Sequence, residues 1–191
     1  MTPLIIDTSV SIIPAMSHLQ PDTRIAPLHL TTLQGVTLEV PSPDHRWVHL
    51  QFRRFAGCPI CNLHLRTMAR RHQELVTAGV LEVALFHSER KTMLPFQSDL
   101  PFAVVADPQR VLYRQFGVEA GLRSVINPRA WGGLMKGMFA NHPTGPFTGE
   151  GGHLGLPADF LIDGSGTIVH CKYGVHADDQ WTVDEVLSLA R

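Results

Sequence analysis

An α/β fold, with a central mixed β-sheet flanked by helices on both faces, is predicted by three features of this 191-residue sequence. Between residues 47 and 117, strand-like apolar runs alternate with segments of helical periodicity, as in parallel βαβ units. Further on, two strand-like runs flank a Gly-rich turn and add an antiparallel pair to the same sheet. The composition, 44% hydrophobic and 17% charged, is that of a chain that buries a core without disulfide staples. No internal repeat or linker divides the chain, so residues 1–191 are expected to form a single domain.

Residues 1–30 carry Pro3, Pro14, Pro21 and Pro27, which break any long periodic element, and read as an N-terminal arm wrapping the domain. Thr37–Val40 is a short strand ended by Pro41-Ser42-Pro43-Asp44. Trp47–Phe52 alternates apolar and polar residues and runs through Arg53-Arg54-Phe55 into a tight turn at Ala56-Gly57. From Pro59 to about Ala78 the period is helical. Cys61, Leu65, Met68, Ala69, His72, Leu75 and Val76 share one face, and Gly79 is a natural stop.

Val80–Phe86 and Phe102–Ala106 read as the next strands, and Asp107-Pro108 opens a helix running through Leu112 and Phe116 to Gly117. Residues 121–155 form a Gly- and Pro-rich insertion. Within it Asn127-Pro128 starts a helix bearing Trp131, Leu134, Met135, Met138 and Phe139 at helical spacing, a stripe that packs on the domain, forms a lid or serves as a homodimer face. Ala158–Ile162, the turn at Asp163-Gly164-Ser165-Gly166 and Thr167–Tyr173 form the hairpin, and Thr182–Ala190 is a closing helix.

With 16 Lys and Arg against 17 Asp and Glu, no basic field exists to hold a polyanion, which excludes nucleic acid as the main partner. No apolar run approaches the roughly 20 residues that span a bilayer, and Asp7 interrupts the N-terminal apolar stretch before it reaches signal-peptide length. The expected location is cytoplasmic, with no membrane partner. Thiols are kept reduced there, so three cysteines are not a structural framework.

Two of the three stand as Cys58-Pro59-Ile60-Cys61 at the start of a predicted helix. Cysteines three residues apart on one helical turn lie within bridging range, so the pair can open and close with little backbone movement. Cys58 at the helix N-terminus faces unpaired N–H groups and the positive end of the macrodipole, which favour a thiolate, and Pro59 suits the first turn. Alternation lets only one of Arg53 and Arg54 face the site, and that residue lowers the Cys58 pKa further. Cys61, on the apolar face with Leu65 and Met68, is held protonated by burial. Cys58 is therefore read as an exposed nucleophile and Cys61 as its resolving partner, acting on a peroxide or a disulfide. A zinc site built from Cys58, Cys61 and His64 lacks a second ligand pair, because His170 and Cys171 point to opposite faces of a strand. No metal is expected. No G-x-G-x-x-G follows a strand, so no nicotinamide or flavin cofactor is expected either.

The strand-turn-Cys-Pro-x-Cys-helix of residues 47–79, together with Leu156-Pro157-Ala158-Asp159-Phe160-Leu161-Ile162-Asp163 and the turn after it, resembles the thioredoxin-like superfamily. Arg53-Arg54-Phe55-Ala56-Gly57-Cys58-Pro59-Ile60-Cys61 is most similar to the peroxiredoxin-like branch of the alkyl hydroperoxide reductase/thiol-specific antioxidant family, over about residues 30–190. The resemblance implies a thioredoxin-like sandwich and a thiol-dependent oxidoreductase of antioxidant type. It implies Cys58 and Cys61 as the redox-active pair, with Gly57, Pro59, Arg54 and Pro157 binding substrate. By the same likeness Pro157 is a cis-proline that pairs an extended substrate beside Cys58.

Re-reduction would draw on a thiol donor such as thioredoxin or glutathione. Peroxiredoxins place Thr or Ser three residues before the reactive cysteine and Pro seven before. Here these are Phe55 and Gln51, so the hydroxyl that would hold a peroxide is missing, whereas the cysteine pair is what disulfide exchange needs. Hydroperoxide and protein disulfide both remain as substrates, and a non-catalytic redox sensor is the alternative from another class. Cys171 reads as a packed core thiol, and Asp159 as a proton acceptor for Cys61.

Overall fold

The computed structural model describes residues 18–118 and 155–191. The predicted insertion stripe at residues 131–139, His153 and the first 17 residues of the arm lie outside them. The order is β1 (Leu28–Thr31), β2 (Thr37–Val40), β3 (Trp47–Phe52), α1 (Pro59–Arg70), α2 (His72–Thr77), β4 (Val80–Phe86), α3 (Arg90–Gln97), β5 (Ala103–Ala106), α4 (Val111–Gln115), β6 (Ala158–Asp163), β7 (Ile168–Tyr173) and α5 (Val183–Leu189).

Five strands form one sheet in the order β5-β4-β3-β6-β7. β3, β4 and β5 run parallel, while β6 pairs antiparallel with both β3 and β7. This is the mixed sheet with helical cover of a thioredoxin-like fold. Parallel neighbours need crossovers, supplied by α1–α2 and α3, whereas the β6–β7 hairpin turns on Gly166 at φ +84°. Asp163 Oδ1 accepts the N–H groups of Ser165 and Thr167 in that turn.

β3 lies at the centre and all six of its residues are buried. Its alternating pattern does not mark a solvent face. His49 and Gln51 point into the same layer as Cys61 and Trp181, and there they find polar partners. Val48, Leu50 and Phe52 point the other way, into a cluster with Leu85, Phe116 and Phe160.

Two local expectations are corrected, and one helix is added. The helix expected from Pro59 to Ala78 is two helices, because Arg71 leaves helical geometry at φ −110°, ψ 13°. Its side chain is tied to Glu74 and to Asp184 of α5, and beyond it Leu75 stays buried while Val76 is 43% exposed. The arm contains a strand, since β1 pairs antiparallel with β2, and residues before β1 and in the β1–β2 loop bridge both sheet edges, Arg24 to Thr167 and Thr32 to Val105. Helix α3 was not legible because Pro95 sits inside it.

Candidate active site

β3 delivers the chain to the cysteine turn, and α1 starts there. Cys58 is the N-cap of α1, with Pro59 in the first turn. The turn is pinned from three sides. The Ala56 N–H donates to Ser88 Oγ at 3.0 Å, and the Ala56 carbonyl accepts from Asn62 Nδ2 at 3.0 Å and Gln97 Nε2 at 2.8 Å. Ser88 follows β4, Asn62 lies on α1 and Gln97 ends α3, so three separate parts of the chain fix one residue beside the cysteines. The sequence carried no spacing signal for any of these three residues.

Both cysteines are free thiols, with Cys61 Sγ 3.0 Å from Cys58 Sγ and the Cys61 N–H 3.5 Å from the same sulfur. Arg54 Nη1 stands 4.0 Å from Cys58 Sγ. Burial raises the Cys58 pKa, but hydrogen bonding from Cys61, the Arg54 guanidinium and the N–H groups of Cys61 and Ile60 outweigh it and bring the thiol down to about 7. Cys61 moves the opposite way. Burial and the neighbouring Cys58 sulfur hold it well above the ordinary thiol value.

One expectation fails in this pair, because Cys58 is 1% exposed rather than open. It is packed in a cluster with Phe55, Ala56 and Ile60, so the sulfur sits within the layer between sheet and helix rather than at its rim.

Arg53 and Arg54 diverge as alternation requires. Arg54 turns to the sulfurs, while Arg53 is fully buried on the sheet face beneath α1. Its Nη2 donates to Asp159 Oδ1 at 2.6 Å and to Gln51 Oε1 at 2.7 Å. His49 lies between Glu82 Oε1 at 2.9 Å and Asp159 Oδ1 at 3.1 Å, and Gln51 donates to Glu82 Oε2. The Trp181 backbone N–H adds a third partner for Asp159.

Burial would lower the His49 pKa, but Glu82 and Asp159 overcome it and raise it to about 9. Burial and Arg53 push His64, at the edge of this cluster, down to about 3. Burial works against ionised Asp159, yet Arg53 and His49 hold its carboxyl well below the usual carboxylate range. The role expected for Asp159 is therefore corrected: its oxygens are committed to Arg53, His49 and the Trp181 N–H rather than to Cys61.

Pro157 departs from expectation too. The cis peptide among the described residues is Val40–Pro41, and Leu156–Pro157 is trans. The Pro157 carbonyl accepts the Gly174 N–H at 2.9 Å, and a Cβ on Gly174 would come within 2.8 Å of the Pro157 ring, so the proline is held immediately before β6. It lines a cavity of about 180 Å³ with Val118, Leu156 and Tyr173. Gly57 and Pro59 flank Cys58 directly, and Gly155 approaches Arg54 and His87. Cys171 is half-buried, its thiol raised by burial and 3.5 Å from the Leu19 carbonyl. Among the described residues, no three His, Cys, Asp or Glu side chains are grouped to hold a metal ion, and no helix is long and apolar enough to cross a membrane.

Comparison with known proteins places this geometry. The sequence profile described as the AhpC/TSA family matches residues 21–171. The chain belongs to the AhpC/TSA family. Among solved structures it is similar to the peroxidoxin BcpB from Mycobacterium tuberculosis, at 16% identity and a TM-score of 0.67, covering 91% of this chain and 97% of that one. It is also similar to a putative thiol:disulfide interchange protein DsbE from Chlorobium tepidum, at 18% identity and a TM-score of 0.59, covering 92% and 100%. Peroxiredoxin Q from Xanthomonas campestris matches at 16% identity and a TM-score of 0.59, covering 85% and 89%. No curated protein sequence matches. This AhpC/TSA chain is a thiol-dependent oxidoreductase of the peroxidase or disulfide-exchanging kind, with a thiol reductant and a peroxide as its general class of partners.

Proposed function

We propose that this AhpC/TSA protein reduces a small hydroperoxide through Cys58, with Cys61 resolving the product on the same helical turn. The observation that carries the reading is the pair of sulfurs 3.0 Å apart, one favoured as thiolate and one as thiol, with Arg54 beside the first. The Cys58 thiolate attacks one oxygen of the O–O bond. That bond breaks, the alkoxide leaves as alcohol after taking a proton, and Cys58 is left as a sulfenic acid. Cys61, deprotonated, then attacks the Cys58 sulfur, hydroxide leaves as water and the disulfide forms.

Because the partner sulfur is already in contact, resolution needs no unwinding of α1. Arg54 offers a peroxide charged N–H donors where a Thr or Ser at position 55 would have offered a neutral hydroxyl, and Gly57 and Pro59 shape the approach. The burial of Cys58 favours a substrate of a few atoms. An external dithiol of thioredoxin type, or glutathione, returns the pair to the reduced state by two exchanges. Residues 1–191 are read as one domain and the protein as cytoplasmic. A second reading, protein-disulfide exchange, draws on Phe55 and Gln51 standing where peroxide-holding residues are found in peroxiredoxins, and there Pro157 would border the incoming chain.

Rapid mixing of reduced protein with hydrogen peroxide, an organic hydroperoxide and a protein disulfide tests the assignment. Fastest oxidation is expected with a hydroperoxide, and fastest oxidation by the protein disulfide overturns it. Cys58→Ser is expected to lower turnover by about a thousandfold or more, whereas Cys61→Ser should complete one turnover and stop at the sulfenic acid. Reaction of Cys58 with an alkylating reagent should rise with pH about a midpoint near 7, because only the thiolate attacks.

A further inference from the structure

Arg53 is held through its N–H, its carbonyl and its side chain, all ahead of the Arg54 side chain. The Arg53 N–H donates to the Leu85 carbonyl at 2.8 Å, continuing the β3–β4 ladder one residue beyond Phe52. The Arg53 carbonyl accepts from the Tyr113 O–H, which it shares with the Leu85 carbonyl. The Arg53 side chain is forked between Gln51 and both oxygens of Asp159, at 2.6 and 3.3 Å for the carboxylate. From this fixed point Arg54 addresses both sulfurs. Its guanidinium stands by Cys58 Sγ, and its backbone hydrogen bond opposes the rise at Cys61.

We propose that Asp159 is a positioning residue for the thiol chemistry: by holding the buried Arg53 side chain, it fixes the following residue so that Arg54 presents its guanidinium to Cys58. This rests on Cys58 being the reactive thiol. Asp159 sits on β6, at the register position opposite Gln51, and touches neither sulfur, so it acts only through Arg53. Without that anion, a buried guanidinium would lack its charge partner and would be drawn to other acceptors, taking its backbone and Arg54 with it. The groups facing Asp159 are Arg53, His49 and the Trp181 N–H, with Glu82 behind His49 and His64 beside Arg53. Lys172, the cross-strand neighbour of Asp159, is tied to Asp179. Those facing Cys58 are Arg54, the Cys61 thiol and the N–H groups of Ile60 and Cys61.

The test is a thiolate titration by ultraviolet absorbance on the full chain, with the Cys58→Ser variant as blank. Asp159→Asn is expected to move the Cys58 midpoint up by about half a unit to one unit, about a three- to tenfold loss of thiolate below the midpoint. In an Arg54→Met background the same substitution should add nothing, because the residue it positions is gone. A folded Asp159→Asn protein with an unmoved midpoint overturns the proposal. So does an equal shift in the Arg54→Met background, which is what a general loosening of the structure would give. Should Asp159→Asn not fold, Arg53→Lys decides in its place. It keeps the charge pair but removes the fork, and an unmoved midpoint there also overturns the proposal. The titration reads ionisation whether or not the chain turns over peroxide, so its failure is distinct from failure of the peroxidase reading.

Discussion

The two faces of the sheet use alternate residues of the same strands, yet they hold together by different physics. On one face Val48, Leu50 and Phe52 of β3 meet Val83 and Leu85 of β4 and Phe160 and Ile162 of β6, with Phe116 laid across them. The rings pack edge-on or tilted, Phe116 to Phe160 at 5.0 Å and Phe52 to Phe160 at 5.6 Å. On the other face His49, Gln51, Glu82 and Asp159 occupy the intervening positions and bond one another and Arg53. A shift of one residue in register would exchange the two environments. The first face gains from area alone and is indifferent to protons, whereas the second adds to an apolar core of its own, with Leu65, Met68, Leu75, Leu161 and Val186, a buried polar patch whose contribution depends on pH and on every partner being present. Apolar packing thus secures the sheet from both sides, while the polar patch on one of them specifies where Arg53 and Arg54 come to rest.

Phe160→Ala probes this division most severely. Removing a fully buried ring at the centre of the aromatic cluster is expected to cost about 3–5 kcal/mol in urea unfolding. The Cys58 titration midpoint of the folded fraction should stay where it is. A midpoint that moved with the cavity would show that the two faces are not independent.

The next effect is the pH dependence of stability, best measured with both cysteines of the pair replaced by serine. Cys58 titrates in the same window, and its lowered pKa acts with the opposite sign. His49 is raised from 6.5 to about 9, so its contribution is fully present below about pH 6.5 and is lost as pH rises through about 9. The loss is about 3 kcal/mol across that window. On the acid side the signs reverse. His64, lowered to about 3, and Asp159, held well below its ordinary value, both contribute above their unfolded pKa values and lose that contribution as pH falls. Stability should therefore peak near pH 6.5, and a flat profile from 6.5 to 9 would mean that His49 is not held as a cation.

The apolar face was legible in the sequence and the polar face was not, for a reason visible in β3. Alternation at Trp47–Phe52 announced a strand and named Val48, Leu50 and Phe52 as a core, but the same alternation in an edge strand would leave His49 and Gln51 in water. Only the position of β3 between β4 and β6 buries them, and the partners of His49 lie 33 and 110 residues away along the chain. The cysteine turn was legible because its logic is local: Cys58, Pro59 and Cys61 sit within one helical turn. The burial of Cys58 and the trans bond at Pro157 depend on what packs over them, which no local pattern records. The break at Arg71 escaped for the same reason, since its partner Asp184 belongs to the last helix.

Helix α5 gives the smallest and sharpest test, because it covers the polar face and is built by local rules. Thr182 Oγ1 accepts the Glu185 N–H at 3.3 Å while Glu185 Oε2 accepts the Thr182 N–H at 2.7 Å, a reciprocal cap that satisfies two N–H groups at the helix start. The preceding residue, Trp181, donates its own N–H to Asp159, so the cap lies one residue from the network. Thr182→Ala is expected to cost about 1 kcal/mol, the usual worth of such a cap, and to cost the same at pH 6.5 and pH 9. Equal costs mean that the charged residues hold one another through strand-borne contacts and that α5 is only their lid. A cost that shrinks at pH 9 would mean instead that the helix start is one of the partners His49 and Asp159 rely on, and the polar face would then extend from the sheet into α5.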